Sequence, residues 1–428
     1  MVTGGARAVA RCDALGVPPY SDTDGGLFRA YLTPGFAHTQ EAVGAWMVEA
    51  GMSISLDPAA NLVGRYEGRE PGSPALLIGS HLDSVRDAGR YDGPLGVLLG
   101  IEAVAALAAT GRRLPFAIEV IGFGDEEGSR FPASMLTSRA VAGTLDPAAL
   151  HVADASGVTL AAALQSFNPT EERRQAGTAV LPREPLGLAC FATAARPRGS
   201  VLAYLETHIE QGPVLEAEGL PVGIVTGIAA QLRYRLTLTG MAGHAGTTTM
   251  ALRHDALAAA AEVVLAAERV ARGADGLVAT VGQLAVKPGA ANVIPGRVTL
   301  SLDVRSLDAQ QRDSAAAAIL AEARVAAERR GVALVVEQVN DLAASHCDPG
   351  LRALLADAVA ATGTTPFHLP SGAGHDAMIL AALCPTAMLF VRCRGGISHN
   401  PAEHVEPADA EVALRSMLGF IDRLESIA

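Results

Sequence analysis

Residues 75–128 read ALLIGSHLDSVRDAGRYDGPLGVLLGIEAVAALAATGRRLPFAIEVIGFGDEEG. Ala75–Ser80 and Pro115–Gly124 are short apolar runs of strand length. Between them lies a segment that reads as a helix, opened near Pro94 and stopped by Gly111. Strand, helix, strand in that order predicts a parallel α/β unit. In such sheets ligands bind in the crevice beyond the carboxyl ends of the strands. The residues that follow these two runs are polar and chemically capable: His81, Asp83 and Asp92 after the first, Asp125, Glu126 and Glu127 after the second.

Working outward, Gly26–Ala50 carries apolar residues at helical spacing. His151–Gln175 is expected to be helical and more polar, Ala176–Ser200 is rich in Pro and Gly and reads as loop, and Val201–Glu206 reads as a further strand. The pattern then changes. Leu232–Gly240 (LRYRLTLTG) alternates apolar and polar, the mark of a strand with one solvated face. A long amphipathic helix follows, then two strands (GLVATVGQLAV and GRVTLSLDVRS), a second helix and a closing strand (VALVVEQVN). The order β–α–β–β–α–β is the split βαβ, ferredoxin-like arrangement. It is placed at residues 229–343, inserted into a discontinuous first domain made of residues 1–228 and 344–428. Helix, strand and final helix complete that first domain.

A chain of 428 residues exceeds the size at which one core usually stops growing, so two domains are expected. Its 33 basic and 45 acidic residues give a net charge of −12, which argues against a nucleic-acid surface. The five cysteines are odd in number and form no C-x-x-C, so neither a disulfide framework nor a thiolate metal site is expected. The first residues lack an apolar export signal and no run is long enough to span a membrane, which predicts a cytoplasmic protein.

His81, Asp92, Glu127, His208 and His399 each follow, or lie a few residues beyond, a strand-like run. Imidazoles and carboxylates gathered at strand ends make a metal site. Asp83, two residues after His81, is placed to accept the second ring N–H and fix the tautomer. Asp92, at a helix start, has two oxygens with which to bridge two ions. Adjacent carboxylates repel. A cation on Glu127 supplies a reason for them to stand together, and leaves Glu126 free as a general base. Taken singly, each feature has an ordinary alternative: a hydrogen-bonded strand-end histidine, or a solvated acidic turn.

The segments GSHLDSV, GRYDGPLGV, DEEGSRF, HIEQGPVLE, GHAGTT, ANVIPG, SGAGHDA and GISHNPAE, spread over roughly residues 75–405, resemble the M20 superfamily of metal-dependent amidohydrolases. Within it the chain is similar to the branch of allantoate amidohydrolases, N-carbamoyl-L-amino acid hydrolases and β-ureidopropionases. The resemblance implies a mixed-sheet, three-layer α/β catalytic domain with an inserted lid and dimerisation domain. It implies two divalent ions, zinc or manganese first, with cobalt or nickel compatible with the same N and O donors. His81 and His208 would hold one ion, Glu127 and His399 the other, and Asp92 would bridge them. A histidine at position 208 is the feature of the carbamoyl branch, since the superfamily's peptidases usually carry a carboxylate there. Glu126 matches the catalytic base, with Asp83 in support. His244 matches a histidine that stabilises the oxyanion and is delivered by the partner subunit of a homodimer. Asn292 and Arg305 match the pair that holds the substrate's amide and carboxylate, and Gln211, Gly374, His375 and Asp376 match further pocket positions. Gly243 and Thr249 stand where the family often has Asn and Pro. The implied reaction is hydrolysis of the ureido C–N bond of allantoate, releasing ammonia and carbon dioxide. The alternative is an N-carbamoyl-L-amino acid or β-ureido acid with the same machinery. The partners implied are a small ureido acid and a second copy of the chain, with no nucleic acid or membrane.

Overall fold

A computed structural model describes residues 3–167 and 186–427 of the chain. The chain divides into two compact units. One comprises residues up to Thr226, Cys347–Leu369 and the chain from His375; the other comprises Gly227–His346 with Pro370–Gly374.

The first unit is built on a mixed sheet. Its strands include, in order across the sheet, Ser53–Leu56, Leu62–Tyr66, Ala117–Phe123, Ala75–His81, Val201–Ile209, Thr386–Val391 and Val222–Ile228, and His368–Ser371 also pairs with the last of these. Ala75–His81 pairs in parallel with both of its neighbours, and Thr386–Val391 pairs in parallel with Val201–Ile209. The flanking pairs are antiparallel. Every residue of Ala75–His81, Ala117–Phe123 and Thr386–Val391 is buried. That is why these segments read as unbroken apolar runs: a strand covered on both faces has no solvated side to alternate with. The helices Gly4–Leu15, Pro94–Ala109, Pro349–Ala361 and Pro407–Glu425 pack on one another, and three of them reach the sheet. Pro at the first turn opens Pro94–Ala109, Pro349–Ala361 and Pro407–Glu425, where its missing N–H costs nothing.

Several local expectations shift. The helix expected from Gly26 begins at Pro34, where the Thr33 side chain accepts the Phe36 N–H. Of His151–Gln175, Leu160–Phe167 is helical, and the expectations for residues 168–185 lie outside the described residues. Within the Pro/Gly-rich stretch, Leu188–Phe191 forms one helical turn. The strand at Val201 runs on to Ile209, so His208 lies inside a strand rather than beyond one.

The second unit is a five-stranded antiparallel sheet with two helices, Ala256–Arg272 and Ala309–Arg329. Its order is Leu284–Lys287, Arg297–Ser306, Ala230–Thr239, Ala333–Leu342, with Leu277–Thr280 also on Arg297–Ser306. The single strand expected from GLVATVGQLAV is thus two, broken around Gly282. Strand Arg297–Ser306 alternates strictly, with Val298, Leu300, Leu302 and Val304 buried. These meet Val263, Ile319 and their neighbours in the unit's own core. Asp255 and Asp308 cap the two helices, each accepting two backbone N–H groups, a contribution of about 1 kcal/mol apiece. The unit extends past residues 229–343 because Gly227 and Ile228 pair with His346 and Ser345, and Ala229 N–H donates to the Ser371 carbonyl.

Candidate metal centre

Strand Ala75–His81 ends on His81, and the parallel neighbour Val201–Ile209 carries His208 one residue before its end. Their ring nitrogens Nε2 face each other at 3.4 Å. The chain between His81 and the helix at Pro94 brings back Asp92, whose Oδ1 lies 3.1 Å from His208 Nε2 and 3.5 Å from His81 Nε2. The close approach depends on Gly93. Its φ is +85°, and a Cβ there would meet the His81 ring at 2.5 Å.

The other oxygen of Asp92 faces a second set. His399 Nε2 is 3.3 Å from Asp92 Oδ2 and 3.5 Å from Glu127 Oε1. His399 sits in the loop after strand Thr386–Val391 with a φ of +54°, a conformation that costs a non-glycine residue free energy and turns its ring toward the aspartate. Ligand-capable atoms therefore fall into three groups: His81, Asp92 and His208; Asp92, Glu127 and His399; and His81, Glu126 and Glu127. Asp92 is common to the first two.

The donor set fits a cation. His208 Nδ1 faces the Ile209 carbonyl at 2.8 Å, and His81 Nδ1 faces the Asp83 carbonyl at 3.1 Å. A nitrogen opposite a carbonyl carries the proton, which leaves both Nε2 atoms as lone pairs. Two lone pairs and a carboxylate oxygen then converge on one point, and Asp92 Oδ1 is buried without a well-formed hydrogen bond. Such a cluster repels itself unless positive charge is shared among its members. Without an ion, protons take that part. Burial opposes charge on His81, yet Asp92, Glu126 and Asp83 hold its pKa well above the ordinary value. His208 is raised too, against its burial, by Asp92. Asp92 holds His399 up at about 9. Burial alone would raise Asp92, but the three histidines keep it well below the usual carboxylate range.

Asp83 departs from its expected part. Its main-chain carbonyl, not its carboxylate, faces the His81 ring N–H; the carboxylate oxygen is 3.7 Å away. The carboxylate instead accepts the backbone N–H groups of Glu126 and Glu127, 3.2 Å each. It thereby shapes the turn that carries both acids. Asp125 starts that turn at φ +59°. Glu126 is 8 % exposed. Burial, then Glu127 and Asp376, push its carboxyl well above the ordinary range against the pull of His81. Glu127 is raised to about 7, first by burial and then by Asp92.

Gln211 Nε2 donates to Asp92 Oδ2 at 2.9 Å and reaches Ser398 Oγ at 3.2 Å, so here it touches the central aspartate. His375 is buried, its ring 4.5 Å from that of His208 and 5.7 Å from that of Phe390. Beside it, the N–H of Ala377 donates to Glu206 Oε2. Two further residues steady the aspartate. Ser398 donates its hydroxyl to Asp92 Oδ2 at 2.6 Å, and Glu403 Oε1 accepts the N–H groups of Tyr91 and Asp92 at 2.8 and 3.1 Å. Both lie in GISHNPAE, so the motif contained the signal.

His244, Asn292, Arg305 and Gly374 belong to the second unit. His244 and Asn292 are neighbours there: Gly243–His244 pairs with Val293–Ile294, and the Ala245 N–H donates to the Asn292 carbonyl. His244 is exposed, and its Nδ1 accepts the Gly246 N–H at 3.1 Å, which leaves the proton on Nε2 as a donor. Arg305 lies on the alternating strand Arg297–Ser306.

Proteins similar to this chain in sequence or in structure carry related names. An N-carbamoyl-L-amino acid amidohydrolase of Geobacillus stearothermophilus is 44% identical over 388 residues, covering 91% of each chain. A probable allantoate deiminase of Oryza sativa subsp. japonica is 41% identical, over 97% of this chain and 88% of that one. A solved amidase of the hydantoinase/carbamoylase family from Burkholderia multivorans superposes with a TM-score of 0.86 at 34% identity, covering 97% of each chain. Residues 77–423 match peptidase family M20/M25/M40, and the chain belongs to that family.

Proposed function

We propose that this protein is a dinuclear metal-dependent amidohydrolase that cleaves the ureido C–N bond of a carboxylate-bearing ureido compound, with allantoate as the first candidate. The observation that supports this most is Asp92, whose two oxygens face two different sets of ligand atoms, His81 with His208 and His399 with Glu127. In this reading those five residues hold two divalent ions, which supply Lewis acidity to a water and to the ureido carbonyl. Glu126 is the general base. It is buried beside the ligand-capable cluster, and in this reading it takes a proton from the attacking water and gives it to the departing nitrogen. Water adds to the ureido carbon, the C–N bond breaks, and the carbamate released decomposes to ammonia and carbon dioxide. His244, with its Nε2 proton, and Asn292 stabilise the oxyanion, a donation typically worth about 10²–10³ in rate. Arg305 receives the substrate carboxylate. A homodimer in which His244 serves the partner subunit's site belongs to the same reading.

A second reading, an N-carbamoyl-L-amino acid hydrolase, has support in the 44% identical Geobacillus stearothermophilus relative. The test is ammonia release from allantoate and from a panel of N-carbamoyl-L-amino acids, after chelation and restoration of Mn or Zn. Turnover of allantoate at the higher kcat/KM supports the first reading. Preference for N-carbamoyl amino acids replaces it with the second, and amine release from N-acyl amino acids alone contradicts both.

A further inference from the structure

One face of the second unit's sheet carries the two helices, and the other carries a square of polar side chains. Arg233 and Gln231 on strand Ala230–Thr239 stand opposite Asp303 and Arg305 on strand Arg297–Ser306. Because side chains two residues apart share a face, all four project to the same side. Arg233, Asp303 and Arg305 border a concavity of about 810 Å³.

Asp303 is the hub of this square. Its Oδ1 accepts Arg305 Nε at 2.8 Å and its Oδ2 accepts Arg305 Nη2 at 3.0 Å, so the carboxylate grips the guanidinium along one side. The same Oδ2 accepts Gln231 Nε2 and Arg233 Nε, each at 2.7 Å. The third nitrogen, Arg305 Nη1, donates to the carbonyl of Gly372. A guanidinium has five N–H donors. Three are engaged, and the two remaining sit one on each terminal nitrogen, the number that the two oxygens of a carboxylate require.

An arginine side chain has many rotamers, and an unrestrained one loses that freedom on binding. Here the freedom is spent before any ligand arrives. The arrangement would be self-defeating if Asp303 merely neutralised Arg305. It does not, because Arg233 brings a second positive charge to the same carboxylate and the group of three keeps a net charge of +1. Burial would raise the Asp303 carboxyl, but Arg305 and Arg233 hold it below its ordinary value.

We infer that Asp303 is a positioning residue for substrate recognition: with Gln231 and Arg233 bracing it, it presents the free terminal N–H groups of Arg305 to the substrate carboxylate. This rests on the reading of Arg305 as the carboxylate anchor. Asp303 touches no substrate; it sets which acids are selected and how tightly.

The experiment compares the carboxylate substrate that the wild type prefers with its uncharged primary-amide analogue, in the metal-loaded enzyme. The variants are Arg305→Ala, Asp303→Asn, Asp303→Glu and the double variant Asp303→Asn/Arg305→Ala. Replacing Asp303 by Asn places an amide NH₂ against the guanidinium and misdirects it. The expected result is a fall of about tenfold or more in the ratio of kcat/KM for acid over amide, carried by KM, with kcat for the acid within about threefold of wild type. Asp303→Glu, which keeps the charge but moves it by one methylene, should recover the ratio only in part. In the Arg305→Ala background the Asp303→Asn change should lower the ratio no further, since there is no longer a guanidinium to position. The amide analogue also reports folding. If Asp303→Asn fails to fold, Asp303→Glu and Arg233→Gln carry the same comparison.

Loss of acid and amide turnover in equal proportion, or a further independent loss in the double variant, overturns the inference. If Arg305→Ala lowers the ratio but the Asp303 variants do not, the positioning role alone is wrong. If Arg305→Ala leaves the ratio unchanged, the carboxylate-anchor reading fails and takes this inference with it.

Discussion

Asp92 and His399 meet at 3.3 Å through Oδ2 and Nε2, while the other oxygen of the same carboxylate lies 3.1 Å from His208. One short side chain therefore faces ligand-capable atoms from a strand and from a loop that lie far apart in sequence. Glu403, from the same loop as His399, holds the backbone N–H of Asp92, and Ser398 holds its Oδ2. The loop that completes one set of ligand-capable atoms thus also aims the residue shared by both.

Glu126 is the proposed base and is not needed to gather the Asp92-centred ligands. The substitution Glu126→Gln should leave metal content unchanged and lower turnover by about 10²–10⁴. Metal analysis and kcat on the same preparation check this. Turnover close to wild type would remove Glu126 from the chemistry.

Glu403 satisfies two N–H donors in a buried turn. In Glu403→Ala those donors lose their partner, at a cost of about 1–3 kcal/mol. Denaturant unfolding of the metal-free protein should show the loss, and metal affinity should weaken because Asp92 is no longer held. Glu403→Gln keeps an acceptor and should recover most of both. Equal losses in the two variants would contradict the hydrogen-bonding role.

Acid stability offers a separate check on the turn that carries the acids. Arg130, three residues after Glu127, donates to the carbonyls of Tyr31 and Leu32 and to Asp154. Burial would raise the Asp154 carboxyl, but bonds from Ser156, Val158 and Arg130 bring it down to about 2. A carboxyl lowered on folding stabilises the protein above its unfolded pKa, about 3.9, and that contribution is lost as pH falls through about 2. Unfolding free energy should therefore decline between about pH 4 and pH 2, and Asp154→Asn should flatten that limb while lowering stability at neutral pH. An unchanged slope would count against the Arg130–Asp154 tie.

Much of this was legible in the sequence because burial leaves a strong imprint. Ala75–His81 and Ala117–Phe123 are apolar throughout because both faces are covered, and Arg297–Ser306 alternates because one face is. His81, Asp92 and Glu127 stand out in the sequence because they follow such segments at short range, and the structure brings their side chains into one cluster. Other features depend on how distant pieces of chain meet. No local pattern says that Glu403 will accept the N–H of Asp92, 311 positions away. The part of Asp83 is hidden for the same reason: the titratable side chain nearest to it in sequence is His81, but its carboxylate accepts N–H groups from Glu126 and Glu127, which only the sheet brings close. The square around Asp303 was half visible. Asp and Arg two apart share a strand face, but Gln231 and Arg233 enter by register, which the strand's own residues do not specify.

The central claim is that Asp92 is shared by two cation sites. Native mass spectrometry or elemental analysis of the protein, stripped with chelator and titrated with Mn or Zn, tests it directly. The account predicts two ions bound per chain, with Asp92→Asn losing at least one of them together with activity, because an amide NH₂ would face a histidine lone pair. A wild type that binds one ion or none, or an Asp92→Asn variant that still binds two, would contradict it.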